Sequence, residues 1–201
     1  MTAPHPIDRD SQIRALLLPR LRERARWVCE EFPCDGRVDV ATIEGDRLCG
    51  YEIKAARDTL KRLYGLDPRL PEFSQIKMYS TLFDRLTVVC APNHCDELLA
   101  RLPVWWGVTV VEGEAFRVVR AAEQNPADTT DRLGWTMWLG EARALLLANG
   151  GTRGARDRGA IANRMKELPA AVVREGALSA MMRRPWGGPR KRKPTHHEVT
   201  L

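Results

Sequence analysis

The stretch from Arg37 to Lys54, R-V-D-V-A-T-I-E-G-D-R-L-C-G-Y-E-I-K, constrains the fold more than any other part of the chain. Gly45-Asp46 stands between two alternating apolar runs, the signature of a two-residue hairpin turn. A turn there sets Asp39 opposite Glu52 and Arg37 opposite Lys54. Period-two alternation puts Asp39, Glu52 and Lys54 on one face, and Val38, Val40, Tyr51 and Ile53 on the other, which is core. Two carboxylates placed opposite each other repel and cost stability. A divalent cation between them removes that cost and gives the pair a purpose.

The rest of the chain bounds what such a hairpin can belong to. At 201 residues it can bury one real core and carry a small appendage. Hydrophobic residues make up 44% and charged residues 29%, which places it in the globular, soluble class. No apolar run approaches the roughly 20 residues of a membrane helix, and the first residues lack the basic-then-apolar pattern of a secretory signal. The expectation is a cytoplasmic protein with no membrane partner. The five cysteines, at 29, 34, 49, 90 and 95, are an odd number and read as reduced thiols, mostly buried. Charge is uneven: residues 153–201 hold 12 Lys and Arg against 4 Asp and Glu, whereas residues 1–152 hold 20 against 22. A basic C-terminal end points to a polyanion, nucleic acid above all. A solvated basic tail is the plainer reading of the same composition.

Read in order, 10–26 is an amphipathic helix, with Ile13, Leu16, Leu17 and Leu21 at helical spacing. Trp27–Phe32 is a short strand, followed by the hairpin of 37–43 and 47–54. Helices are expected at 56–64 and 73–83, around a loop with two prolines, Gly65 to Pro71. Arg85–Cys90 is a buried strand, Asn93 caps a helix running to Arg101, and 104–111 and 116–120 are strands. This order predicts an α/β fold, a mixed sheet covered by helices. The expected organisation is a core over 10–120, a linker over 121–132 and a helical region over 133–184. The basic Pro/Gly-rich tail, 185–201, reads as disordered. Within the helical region, 134–148 and 161–182 are helical by period.

An Asp on one strand and Glu-x-Lys on the next suit metal-assisted phosphodiester cleavage. Carboxylates bind Mg²⁺ or Mn²⁺, hard ions that prefer oxygen ligands. The ion acidifies a bound water and screens phosphate charge, while a lysine on the same face stabilises developing charge. Glu-x-Lys alone recurs by chance, and an ordinary charged strand face would look the same; the hairpin register is what adds weight. Gln75 and Tyr79, four apart on an expected helix, share one face.

Asp39, Glu52-Ile53-Lys54 and Gln75-x-x-x-Tyr79 together resemble the PD-(D/E)XK nuclease superfamily, and the Gln-x-x-x-Tyr element is similar to that of RecB-type nucleases. Gly50-Tyr-Glu-Ile-Lys, Arg57-Asp-Thr-Leu60 and Pro103-x-Trp-Trp-Gly107 extend the resemblance to a group of small bacterial and phage proteins assigned there. The match runs from about Trp27 to Val111. It implies a restriction-endonuclease-like mixed sheet, with Asp39 and Glu52 as metal ligands, Lys54 as the catalytic lysine, and Gln75 and Tyr79 positioning substrate. It further implies a ligand from the Ile53 carbonyl, and an upstream acid for which Glu31 is the choice over Glu30, its neighbour pointing the other way on a strand. Val38 stands where the motif's name places proline.

Other residues read more plainly. Arg57 could touch phosphate and Asp58 cap a helix, but both are structural by default. Cys90, His94 and Cys95 lack the spacing of a zinc site. Trp105 and Trp106 could stack on bases, yet aromatic core is the safer reading. His196 and His197 have no evident partners. Arg158, Arg164, Arg174, Arg183 and Arg184 could line a phosphate-facing surface, or belong to a bundle packed on the core. The expected function is a Mg²⁺- or Mn²⁺-dependent nuclease acting on DNA, as a homodimer if both strands are cut. The alternatives are a nucleic-acid-binding protein that keeps the fold without cutting, and a regulatory protein using its basic helices on another protein.

Overall fold

The computed structural model describes residues 8–34, 36–66, 74–151 and 157–184. Six strands form one sheet in sequential order: β1 (Trp27–Cys34), β2 (Gly36–Glu44), β3 (Arg47–Lys54), β4 (Arg85–Cys90), β5 (Gly107–Glu112) and β6 (Ala115–Arg120). The first three make an antiparallel meander, β3, β4 and β5 run parallel, and β6 turns back antiparallel. The fold is α/β with a mixed sheet, as the order of elements predicts. Gly45, at φ 63°, supplies the positive φ of the hairpin turn. The ladder runs from Glu44–Arg47 to Val40–Tyr51, which is the register the turn dictates.

Each face of the sheet has its own cover. Helix α1 (Asp10–Arg24) lays Ile13, Leu17 and Leu21 on Val40, Tyr51, Ile53 and Val89, the stripe an amphipathic helix buries. The opposite face, with Ala41, Ile43, Leu86, Val88 and Val108, packs against short helices α2 (Lys61–Tyr64) and α3 (Gln75–Tyr79), and against α4 (Cys95–Arg101). The same apolar cluster continues without a break into α5 (Thr130–Trp135), α6 (Leu139–Ala148), α7 (Arg158–Met165) and α8 (Ala170–Arg183) through Leu133, Met137, Leu146, Met165 and Val173. The C-terminal helices are therefore packed on the core. Gly50 is where the sheet and its cover meet most closely: a Cβ there would stand 2.7 Å from a Leu86 methyl and 3.1 Å from the Phe83 ring.

Several elements differ from expectation for local reasons. The helix expected at 56–64 shrinks to Lys61–Tyr64 because Asp58 accepts from the Ala55 N–H at 2.7 Å and closes a turn instead. Of the helix expected at 73–83, Gln75–Tyr79 forms, capped by Ser74, and Phe73 lies outside the described residues. Asn93 does not cap α4: it sits in a 3-10 turn, Pro92–His94, and donates to the Ala56 carbonyl. Strand β5 starts at Gly107, not at 104, and Trp105 and Trp106 ahead of it are core. The stretch expected as 161–182 breaks at Pro169, which cannot donate to a continuing helix. Residues 121–129 are tied to the sheet, since Asn125 is buried and bonds the carbonyls of Ser80, Phe83 and Asp84. The loop from Asp67, and the tail with His196 and His197, lie outside the described residues.

Candidate active site

At the open end of the hairpin the alternation of β1 and β2 breaks. Val38 packs on the α3 face, whereas Val40 packs under α1, although both are even positions of one strand. Opposite, Glu31 takes φ 54°, the left-handed region that non-glycine residues avoid. Pairing resumes in register on both sides, Glu30 with Val40 and Phe32 with Val38. The expectation that Val38 shares a face with Val40 and Ile53 is thus corrected: the kink turns it over. The ladder to β3 also stops at Val40–Tyr51, so Asp39 does not pair with Glu52 through the backbone. Its Oδ2 instead accepts the Ile53 N–H at 2.7 Å, a side chain standing in for a strand partner.

Glu52 and Lys54 project from β3 toward α3. Lys54 Nζ donates to Glu52 Oε1 at 2.7 Å, and the two side chains are 11% and 3% exposed. Gln75 Nε2 donates to the same Oε1 at 2.8 Å and to the Tyr79 hydroxyl at 3.0 Å, and Tyr79 donates to the Arg37 carbonyl at 2.7 Å. The four-residue spacing of Gln75 and Tyr79 therefore does put both on one face, and that face meets Glu52. The amide orientation follows from chemistry, because the reversed amide would set two acceptor oxygens against each other. Among the described residues two buried side-chain oxygens are left with no donor, Glu52 Oε2 and Gln75 Oε1. Leaving such atoms unpaired costs about 1–3 kcal/mol each, and it leaves acceptors available at the centre of the site.

Charge in the site is unbalanced. Burial first, and then the neighbouring Glu52 charge, push the Asp39 carboxyl up to about 7, against the pull of the Ile53 N–H, Lys54 and Arg14. Burial alone would lower the Lys54 ammonium, but Glu52 and Asp39 outweigh it and hold it charged. Burial also raises the Tyr79 hydroxyl, so it stays a donor. Two carboxylates and an amide oxygen fit a hard divalent cation by donor type, while the Lys54 ammonium offers it no lone pair. Among the described residues no three His, Cys, Asp or Glu side chains stand at ligating positions together.

The residue that sequence reasoning missed is Arg14. From α1 its Nη2 reaches Asp10 Oδ2 at 3.1 Å, Glu31 Oε1 at 2.7 Å and Asp39 Oδ1 at 3.2 Å, while Nη1 donates to the Asp39 carbonyl. Burial would lower this guanidinium, but the surrounding carboxylates keep it firmly charged. Glu31 is joined to Asp39 through Arg14 and is also held by Arg37 at 2.6 Å. Glu30 comes within 4.0 Å of Arg14 as well, since the kink at Glu31 lets neighbouring side chains approach one group. In the sequence Arg14 is one of several arginines on a helix, and nothing there marks which one meets the hairpin.

Further from the site, three of the five C-terminal arginines are engaged by other parts of the fold. Arg174 binds Asp84 and the Asp46 carbonyl, Arg184 binds Glu141 and the Thr136 carbonyl, and Arg158 binds the carbonyls of Trp135 and Met137. They staple the helices together instead of forming a phosphate-facing row. His94 is buried against the Ala55 carbonyl at 3.0 Å, Arg57 pairs with Asp8, and the five cysteines are free thiols.

The description "Bacteriophage P4 protein cII" belongs to the family profile that matches residues 8–186. The chain belongs to this family. The matched span takes in α1, the whole sheet and the C-terminal helices, so the packed unit is the family's unit. Protein cII of Enterobacteria phage P4 is 36% identical over 66 residues, which are 33% of this chain and 21% of that protein. The aligned stretch is thus about a fifth of that relative's length. A protein of unknown function from Silicibacter pomeroyi superposes with a TM-score of 0.40 at 19% identity, over 64% of this chain and 77% of the other. No helix among the described residues is long and apolar enough to cross a membrane.

Proposed function

We propose that this protein is a metal-dependent nuclease that hydrolyses phosphodiester bonds in DNA. One observation carries the reading. The buried Glu52–Lys54–Gln75–Tyr79 chain ends in two acceptor oxygens that no donor among the described residues satisfies, beside an Asp39 whose charge burial and Glu52 disfavour. Buried polar groups are ordinarily satisfied, and exceptions cluster where chemistry is done. Glu52, Asp39 and the Gln75 oxygen would hold Mg²⁺ or Mn²⁺, with the Ile53 carbonyl as a further donor. When bound, the ion would acidify a water and withdraw charge from the phosphate.

The protein's own residues would do the rest. Lys54, held charged by Glu52, would donate to an oxygen on which charge develops. Gln75 would fix the Glu52 carboxylate in one orientation, and Tyr79 would fix Gln75. The resemblance to PD-(D/E)XK nucleases supports the same assignment. Five free thiols fit a cytoplasmic setting, and cutting both strands would call for a homodimer. A second reading is favoured by a specific observation: Asp39 already has Arg14 and Glu52 already has Lys54 as counter-cation. A nucleic-acid-binding protein that keeps the arrangement without cutting would look the same at those two contacts.

Cleavage of plasmid, linear and branched DNA in Mg²⁺, Mn²⁺ or EDTA separates the two. The expected result is metal-dependent cutting that falls about 10²–10³-fold in Lys54→Ala and is lost in Asp39→Ala. Binding without cutting, unchanged in both variants, would sink the enzyme reading.

A further inference from the structure

One nitrogen, Arg14 Nη2, is surrounded by oxygens of three carboxylates from three elements. Asp10 is on α1, Glu31 on β1 and Asp39 on β2, at 3.1, 2.7 and 3.2 Å. This is a cation position filled by the protein itself. On β3, next to the Ile53 N–H that Asp39 accepts, Glu52 gives one oxygen to Lys54, while its Oε2 and Gln75 Oε1 are buried with no donor among the described residues. Asp39 touches both regions: its Oδ1 meets Arg14 at 3.2 Å, and its Oδ2 accepts the N–H of Ile53, the neighbour of Glu52 on β3, at 2.7 Å.

We propose that Arg14 is a fixed counter-cation occupying the second of two cation positions around Asp39, so that the site takes one divalent ion and not two. The inference rests on the metal-dependent reading given above and says which residues belong to the ion. Glu52, Gln75 and Asp39 serve it, whereas Asp10 and Glu31 serve Arg14. The chemistry follows. With one ion, the charge that a second metal would neutralise would have to be met by a residue, and Lys54 is the buried cation beside Glu52 that could meet it. Arg14 acts through Asp39 and is a positioning residue.

The test counts Mn²⁺ bound per full-length chain, by calorimetry and by electron paramagnetic resonance of the free ion, with circular dichroism confirming the fold of each variant. The native chain is expected to bind one Mn²⁺. Arg14→Gln strips the cation from three carboxylates and is expected to bind two, and adding Glu31→Gln to it returns the count to one. Two ions in the native chain, or one in Arg14→Gln, would overturn the inference.

Asp10→Asn keeps the test alive if Arg14→Gln does not fold. Asp10 lies in the first turn of α1, and its removal is expected to change the native Mn²⁺ affinity less than about threefold, where loss of a true ligand or its direct support costs about tenfold or more. A tenfold loss there would overturn the inference too. Two ions in Arg14→Gln with no cleavage by any form would support the inference and remove the nuclease reading; no bound Mn²⁺ in any form removes both.

Discussion

Two buried carboxylates on this sheet look alike by position and differ in how they are treated. Asp84, just ahead of β4, is 2% exposed, and Glu52, on the neighbouring β3, is 3% exposed. Each has a cationic partner, Arg174 for one and Lys54 for the other. Asp84 spends both oxygens: Oδ2 accepts the Leu48 N–H at 2.7 Å and the Arg174 guanidinium, and Oδ1 accepts the Thr129 hydroxyl at 3.0 Å. Glu52 crowds Lys54 and Gln75 onto Oε1 and leaves Oε2 with no donor among the described residues. A carboxylate that serves structure is saturated by its neighbours. One with a lone pair kept back in a dry place is arranged for something that arrives later.

The largest expected effect tests the structural member. Asp84→Ala removes the anchor between the sheet and α8 and leaves a half-buried guanidinium without its acid. It should cost about 3–5 kcal/mol of unfolding free energy, read by chemical denaturation. A loss below about 1 kcal/mol would show that the saturated network contributes little and would break the contrast.

Next comes the ion. At about 100 times its dissociation constant, a ligand bound by the folded state alone adds about 2.7 kcal/mol of stability. Mn²⁺ should raise the melting temperature of the native chain and of Asp84→Asn, and leave Glu52→Gln unmoved. A shift of equal size in Glu52→Gln would place the ion elsewhere and remove Glu52 from the metal set.

Asp39 sharpens the comparison through pH. Its folded pKa, about 7, lies above the 3.8 of the free side chain. The folded chain therefore holds this proton where the unfolded chain has released it. The Asp39 contribution to stability falls as pH rises from about 4 to 7 and is level above that window, its cause being burial first and then Glu52. Asp39→Asn should flatten this dependence and gain on the order of 1 kcal/mol at pH 8, read as denaturation midpoints across pH. An unchanged slope would mean that Arg14 and Lys54 fully neutralise the group. Mn²⁺ affinity of the native chain should weaken below pH 7, because the proton and the ion compete for one carboxylate.

How much of this could be read from the chain alone follows from the range of the interactions. The hairpin register was legible because Gly45-Asp46 fixes it locally, and Gln75 with Tyr79 was legible because helical spacing is local too. The kink was not. Alternation assigns Val38 and Val40 to one face, and only the break in pairing at Glu31, where the backbone takes φ 54°, turns one of them over. Arg14 was hidden for a similar reason: α1 carries several arginines, and which one reaches the hairpin depends on how the helix lies across Val40 and Ile53. For the C-terminal arginines the sequence left a phosphate-facing surface and a packed bundle both open, because composition reports charge and not partners. Arg174 finds Asp84 across 90 positions of chain. The helices at 134–148 and 161–182 broke where turns and Pro169 intervene, a matter of local signals weighed too lightly against period.

The smallest expected effect asks whether the unsaturated site is held from behind. Tyr79→Phe removes a hydroxyl that donates to the Arg37 carbonyl at 2.7 Å and accepts from Gln75 at 3.0 Å. The ring stays, fully buried beside Phe83 at 6.1 Å between centroids, so packing survives and the loss is about 1 kcal/mol. The informative result lies in what Gln75 does once it has one acceptor fewer. If Tyr79 fixes the amide, Gln75 gains freedom to turn, Glu52 loses a constant donor, and Mn²⁺ affinity drops severalfold for a stability change no larger than one hydrogen bond. Asp84 offers the control, because Thr129→Val removes a hydroxyl of the same kind from the saturated carboxylate and should lower stability by a similar amount without touching the ion. Equal loss of stability with unequal loss of Mn²⁺ is the pattern expected when one carboxylate is kept for a ligand and the other for the fold. Equal loss of both would mean that Tyr79 supports the sheet and nothing more.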